Sequence, residues 1–328
     1  MIFRGTQSES TRPRGMALYI AVVGMTLIVS LLGLASLAVV RIDRSRAEHL
    51  NDLATARVNA RAALEWALRD IANDTSWRTN HPLGVESAKQ SLGTNSRGTV
   101  SWIVEDTDGD LFDCDTELRI QGIGRVGNAV QVSSLQVEPV WEGPAVVRSY
   151  ASIISVDMNE IDDNEWYCQY FKPNLPANAL CWKLTKVTIL SYRNTSNRTL
   201  NVKVYEPLPT NMPSSTVLYS ASVSSNSFSA APNWHEITLS DGDDLEADSG
   251  VCVAFEASAS SGPIDVIFQN AGVGVADSAM ITGNPTWNNY YTDQSLMYVM
   301  TGVYTTTDGE VVPLSGTWKR EPASVTAD

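Results

Sequence analysis

The sequence predicts an α+β protein: a long N-terminal transmembrane and amphipathic helix, a small antiparallel sheet, then an all-β, jelly-roll-like sandwich. Three observations carry this reading. Residues 16–40 form a run of 25 without a charge. Residues 41–72 follow with no Gly or Pro and with apolar residues at three- and four-residue steps. The remainder reads as short strands, set in the distal part between Asn, Ser, Pro and Gly clusters.

The uncharged run would make a helix of roughly 37 Å, enough to cross a hydrocarbon layer of about 30 Å. Arg4, Arg12 and Arg14 precede it against Glu9 alone, which favours a cytoplasmic N-terminus and an exported C-terminal head. Its length exceeds the apolar core of a secretory signal, although small residues at Ser36 and Ala38 satisfy that cleavage pattern. In the next segment Leu50, Leu53, Ala60, Leu64, Ala67, Leu68 and Ile71 form one apolar face. Asn73, His81-Pro82 and Gly84 close the helix, and residues 73–98 read as a loop. Residues 99–105, 117–123 and 129–138 alternate as strands, the last two joined by a turn at Gly127-Asn128. Residues 141–155, with a Gly-Pro break, read as a linker, 156–307 as the sandwich and 308–328 as a tail. Within the sandwich the expected strands are 166–171, 182–192, 200–205, 217–221, 234–239, 251–257, 264–269 and 297–305.

Charge is unevenly spread. The first 72 residues carry nine Arg against six acids, while residues 73–328 carry 14 basic against 31 acidic residues, a net −17. A head so acidic repels phosphate, which excludes nucleic acid as its partner and disfavours docking on anionic lipid. Hydrophobic content of 43% with 18% charged residues supports a packed core.

The order Arg14-Gly15-Met16, then an apolar helix and an amphipathic continuation, resembles the N-terminus of type IV pilin-like proteins over residues 10–72. The resemblance implies cleavage by a prepilin peptidase after Gly15 and methylation of Met16. It further implies insertion of residues 16–40 in a bacterial inner membrane, and later contacts with other pilin or pseudopilin subunits in a type IV pilus or type II secretion-type filament. Most major pilins carry Glu five residues into the processed chain. Ile20 stands there instead, as in PilX-type and K-type minor pilins, and this fits a tip or initiating position. A single-pass anchor for a glycan- or protein-binding module is the alternative. Residues 165–189, 217–223 and 249–257 resemble a β-sandwich module of bacterial exported and pilin-like proteins, to which no function attaches.

Several residues invite chemistry. Cys114, Cys168, Cys181 and Cys252 contain no C-x-x-C, so zinc and thioredoxin readings lack support. Cys168 and Cys181 flank a proline-containing turn segment and are the expected disulfide, the alternative being buried free thiols. In the sandwich-module resemblance both positions often hold small residues, so two cysteines here imply pairing. Gly122, Gly124 and Gly127 spell G-x-G-x-x-G, but a strand follows where a dinucleotide site needs a helix. Asp106, Asp108, Asp110, Asp113 and Asp115 crowd one loop. They read either as oxygen ligands for a hard cation such as Ca²⁺, without the EF-hand spacing, or as a solvated turn. Trp287, Tyr290 and Tyr291 fall in a polar segment expected to be a loop, and Trp234 begins a strand. They are candidate sugar-stacking residues, or aromatics that seal the sandwich. The three histidines, His49, His81 and His235, belong to no catalytic motif, and Asp243, Asp244 and Glu246 read as a solvated loop. The expectation is a protein without enzymatic activity and with no obligatory cofactor.

Overall fold

A computed structural model describes residues 14–92, 97–114, 118–240 and 242–322. The leader up to residue 13, Asp115, Glu117 and Asp241 lie outside the described residues, as do residues 323–328.

One unbroken helix, α1 (Arg14–Asn73), spans 60 residues, about 90 Å at the usual rise per residue. Residues 16–40 are exposed throughout, and they form the one helix among the described residues long and apolar enough to cross a membrane. The second half is different. Ala56, Ala60, Ala63, Leu64, Ala67 and Ile71 are buried, a stripe at helical spacing that faces protein rather than solvent. Leu50 is 66% exposed, so the covered face begins a turn later than the sequence pattern suggests. The chain leaves α1 through Asp74, whose carboxylate accepts from Ser76 N at 2.9 Å and from Asn80 Nδ2 at 2.8 Å. This sets the short helical turn α2 (Trp77–Asn80).

Three strands then form an antiparallel sheet against α1: β1 (Thr99–Glu105), β2 (Leu118–Val126) and β3 (Ala129–Pro139). Gly127, at φ +55°, supplies the left-handed residue of the β2–β3 turn. Val104, Ile120, Leu135 and Val137 share a core with Leu64, Ala67 and Ile71 of α1. Helix and sheet approach closely because two sheet positions lack side chains. A Cβ on Gly122 would overlap the Ala60 carbonyl oxygen, and one on Gly124 the Ala56 carbonyl oxygen and Ala60 N. The G-x-G-x-x-G run is therefore a packing device: two glycines admit the helix backbone and the third makes the turn. On the opposite face Arg125 makes two hydrogen bonds to Glu86, at 2.7 and 2.9 Å. Burial pushes the Glu86 carboxyl up, but the bonds from Arg125 and Ser101 outweigh it and hold the carboxyl below its usual value. Of the segment expected as a loop, residues 73–92 are tied to the sheet: Ser87 N donates to Trp102 O, and Gln90 bridges Val100.

The linker expected over residues 141–155 is instead mostly strand, β4 (Glu142–Tyr150). It lies at an edge of its sheet, where Pro144's missing N–H breaks no ladder. The sandwich continues with β5 (Val156–Glu160), β6 (Trp166–Phe171), β7 (Ala179–Arg193), β8 (Thr199–Pro207) and β9 (Pro213–Ser224). Then come β10 (Asn233–Thr238), β11 (Leu245–Glu246), β12 (Val251–Glu256) and β13 (Ile264–Gln269). The last four are β14 (Ser278–Gly283), β15 (Trp287–Tyr291), β16 (Ser295–Leu296) and β17 (Tyr298–Thr306). An eight-stranded sheet contains the pairings β5-β13-β7-β10, and a six-stranded sheet contains β6-β12-β8-β9. Leaving out the two-residue β11, this is the strand order of a jelly roll. Trp182, Phe171, Tyr298, Phe255 and Val253 fill the space between the sheets. Gln169, fully buried, ties them together: its Nε2 donates to Ser278 Oγ at 2.9 Å and its Oε1 accepts from Leu296 N at 3.0 Å.

The expected tail is also structured. Residues β18 (Val311–Pro313) and β19 (Lys319–Glu321) both pair with β3. The sandwich is therefore inserted into the helix–sheet unit between β3 and β18. The two crossing segments are hydrogen-bonded to each other, Val140 N donating to Glu310 O at 2.9 Å.

The close approach of α1 to β2 makes a specific prediction. Gly124→Ala should cost about 1–3 kcal/mol, the range for overpacking a dense contact, read as a lower denaturation midpoint in mild detergent. Gly33→Ala, where a Cβ meets nothing within 4 Å, should leave that midpoint unchanged.

Candidate functional sites: the anchor helix, the acidic loop and the aromatic roof

Gly15 and Met16 sit in the first turn of α1, at the far end of its uncovered half. Met16 is 66% exposed. Among the described residues, nothing outside α1 covers residues 16–40.

Helix–sheet unit and sandwich meet at one junction. Arg78, just after α1, is buried, and its guanidinium donates from Nε to Leu111 O at 3.0 Å and from Nη1 to Thr307 O at 2.8 Å. Burial pulls this guanidinium down to about 10, against the opposing pull of Asp308. Trp77 Nε1 donates to Gly309 O at 3.0 Å beside it. One arginine thus joins the end of α1, the acidic loop and the exit of β17.

The disulfide belongs to the same junction and corrects the expected pairing. Cys181, at the start of β7, is bonded to Cys114 at the end of the acidic loop, with Cα atoms 5.3 Å apart. Cys168 cannot reach Cys181: it lies on β6, in the other sheet, and faces outward. Its neighbour is Cys252 on β12; both thiols are buried and free. Burial pushes the Cys168 thiol well up, and its hydrogen bond with Cys252 adds to this. The proline turn between residues 168 and 181 is a crossover between sheets, which spacing alone does not reveal.

In the acidic loop Asp106, Asp108 and Asp113 bring carboxylate oxygens within 4.8 Å of one another. Asp110 does not join them; its Oδ1 accepts from Phe112 N at 2.9 Å. Asp115 lies outside the described residues. Hydrogen bonding with Asp113 and then with the Asp110 N–H pulls the Asp108 carboxyl below its usual value. Three carboxylates are part of the six to eight oxygens that Ca²⁺ takes, and the same Asp108–Asp110 contact is the turn bond of a solvated loop.

The aromatic candidates divide between two places. Trp234 is on β10 in the eight-stranded sheet. Trp287, Tyr290 and Tyr291 form β15 at the edge of the six-stranded sheet, not the expected loop; its Asn-rich sequence hides a strand held by backbone pairing to β14. Alternation then separates the tyrosines. Tyr291 is paired with Met280 and packs toward the core, while Tyr290 is paired with Ile281 on the outer face and is 38% exposed. Trp287 packs on that outer face, 6.0 Å from Trp166 between ring centroids. With Tyr170, Tyr205 and Met212 it roofs a floor of small residues, Cys168, Cys252, Ala254 and Ala279. Beside this roof Glu256, almost fully buried, accepts from Tyr205 OH and Lys203 Nζ, each at 2.6 Å. Sequence reasoning missed this trio; its one signal is alternation, which puts Lys203 and Tyr205 on the same side of β8.

No protein-family model matches the chain, and no curated protein sequence matches it. Among solved structures, similar ones include a carbohydrate-binding module of the β-sandwich superfamily, at 11% identity and a TM-score of 0.15, covering 65% of this chain and 60% of that one. The infectious bursal disease virus VP2 subviral particle gives 12% and 0.17, with 70% and 64% covered. The K1 cleaved adhesin domain of Lys-gingipain from Porphyromonas gingivalis gives 10% and 0.14, with 68% and 99% covered. This chain thus spans less than two thirds of the length of the first two. Scores this low carry no argument, and the β-sandwich assignment rests on the strand pairing above.

The cysteine assignment is directly checkable. Alkylation of the denatured, unreduced protein should label Cys168 and Cys252 and leave Cys114 and Cys181 unmodified, by peptide mass spectrometry. Label on Cys114 would contradict the observed pairing.

Proposed function

We propose that this chain is a non-enzymatic, membrane-anchored display subunit of the minor pilin or pseudopilin kind, cut after Gly15 by a prepilin peptidase. One observation carries the reading. A single unbroken helix leaves residues 16–40 uncovered while its second half lies along an antiparallel sheet. An apolar half of that length has no partner among the described residues. In the proposal a lipid bilayer covers it first, and neighbouring subunits of a type IV or type II secretion-type filament cover it after processing. The N-terminus is cytoplasmic and the acidic β-rich part is exported, where the Cys114–Cys181 bond can form and persist. Ile20 in place of the usual Glu suits a minor subunit at the tip. The simple membrane-anchored binding module remains the second reading, and Trp287 with Tyr290 at the outer sheet edge favours it.

Mass spectrometry of the mature N-terminus separates these. The proposal expects a chain that starts at a methylated Met16, and expects Gly15→Val to leave it uncut. An intact Met1 on membrane-bound protein supports the simple anchor and contradicts processing. A start at Val39 contradicts both.

A further inference from the structure

A groove of about 550 Å³ runs between α1 and the sheet edge formed by β19, lined by Arg57, Arg61, Glu65, Trp318, Lys319 and Arg320. Arg57 and Arg61 are exposed one helical turn apart, and Arg320 is aligned with Ser133 at the end of the sheet. Trp318 is 47% exposed beside them. Four cations and a single carboxylate thus line the groove, Arg57, Arg61 and Arg320 on its helix-facing side. None of the four makes an ion pair among the described residues. Like charges four residues apart on a helix repel. Elsewhere cations do find acids, as Arg119 does with Glu321 and Lys183 with Asp244. In a chain with 37 acids against 23 basic residues, an uncompensated basic groove points to a counter-charge from outside.

Distance and charge select its source. Arg57 lies 17 residues beyond Val40, about 25 Å along the helix. Charges interact over a Debye length of about 8 Å at physiological salt, so lipid headgroups at the Val40 level are out of reach. A nucleic acid would have to approach past a part carrying net −17. That same acidic part is the complementary surface. Asp157, Asp163, Asp243, Glu246 and Asp248 are all exposed on it. Copies confined to one membrane meet at high effective concentration, so a modest contact suffices.

We infer that this groove docks an acidic face of the β-rich part of a second copy of the chain. Arg57, Arg61 and Arg320 supply the charge and Trp318 the apolar contact. The inference rests on the anchored-subunit reading and adds the partner and the surface. The full chain in bacterial membranes, with Trp318→p-benzoylphenylalanine, tests it by photocrosslinking. The expected result is a dimeric adduct whose peptides map the partner site to an acid-bearing segment of residues 73–322. Arg57→Glu with Arg61→Glu should reduce the adduct about fivefold, the effect of losing two exposed ion pairs. Arg57→Lys with Arg61→Lys should retain it, and both variants change exposed residues. Membrane-bound chain without a dimeric adduct would overturn the inference and leave the anchored reading standing. So would an adduct indifferent to charge reversal, or one removed by nuclease. Chain found soluble and uncut would remove both.

Discussion

The contact between the α1 backbone at Ala56–Ala60 and the β2 backbone at Gly122 and Gly124 sets the distance from which everything else is built. With side chains at those glycines the helix would stand off the sheet, and Leu64, Ala67 and Ile71 would lose the closeness that buries them against Ile120 and Leu135. Dispersion falls steeply with small gaps, so such a seam is close-packed or it is weak. The helix direction follows from it. Because the seam occupies only the second half of α1, the first half must project beyond the fold.

The sandwich is a graft on this unit. The chain enters it after Pro139 and returns at Val311, and the entering and leaving segments are bonded to each other. Two crossings alone would leave a hinge. The Cys114–Cys181 bond and the Arg78 guanidinium add ties from the acidic loop and from the end of α1. A force along α1 is therefore delivered to the sandwich through several short paths.

Much of this was legible because it rests on periodicity. The uncharged run and the helical stripe show their period in the residues themselves, and short apolar segments such as Trp166–Phe171 and Ile264–Gln269 stand out between turn-forming clusters. The elements that were missed depend on distant partners. Edge strand β4 carries a Gly-Pro break, β15 is rich in Asn, and β18 and β19 are too short to show alternation. For the same reason the disulfide was misassigned. Cys168 and Cys181 are near in sequence but on different sheets, while Cys114 is brought in by a fold-level junction. The candidate aromatics were found as residues but not as a surface, since only strand pairing separates Tyr290 from Tyr291. Arg57, Arg61 and Arg320 gave no local signal at all, because the groove exists only once β19 returns to β3.

The central claim is that one helix is half fold and half anchor, divided near residue 53. Hydrogen–deuterium exchange of the full chain in detergent micelles measures this along the helix. The account predicts that amides of residues 56–71 are protected and open together with β2, as one cooperative unit, while those of residues 41–51 exchange much faster. Exchange of residues 56–71 as fast as 41–51, with β2 still protected, would show that the helix does not depend on the sheet and would contradict it.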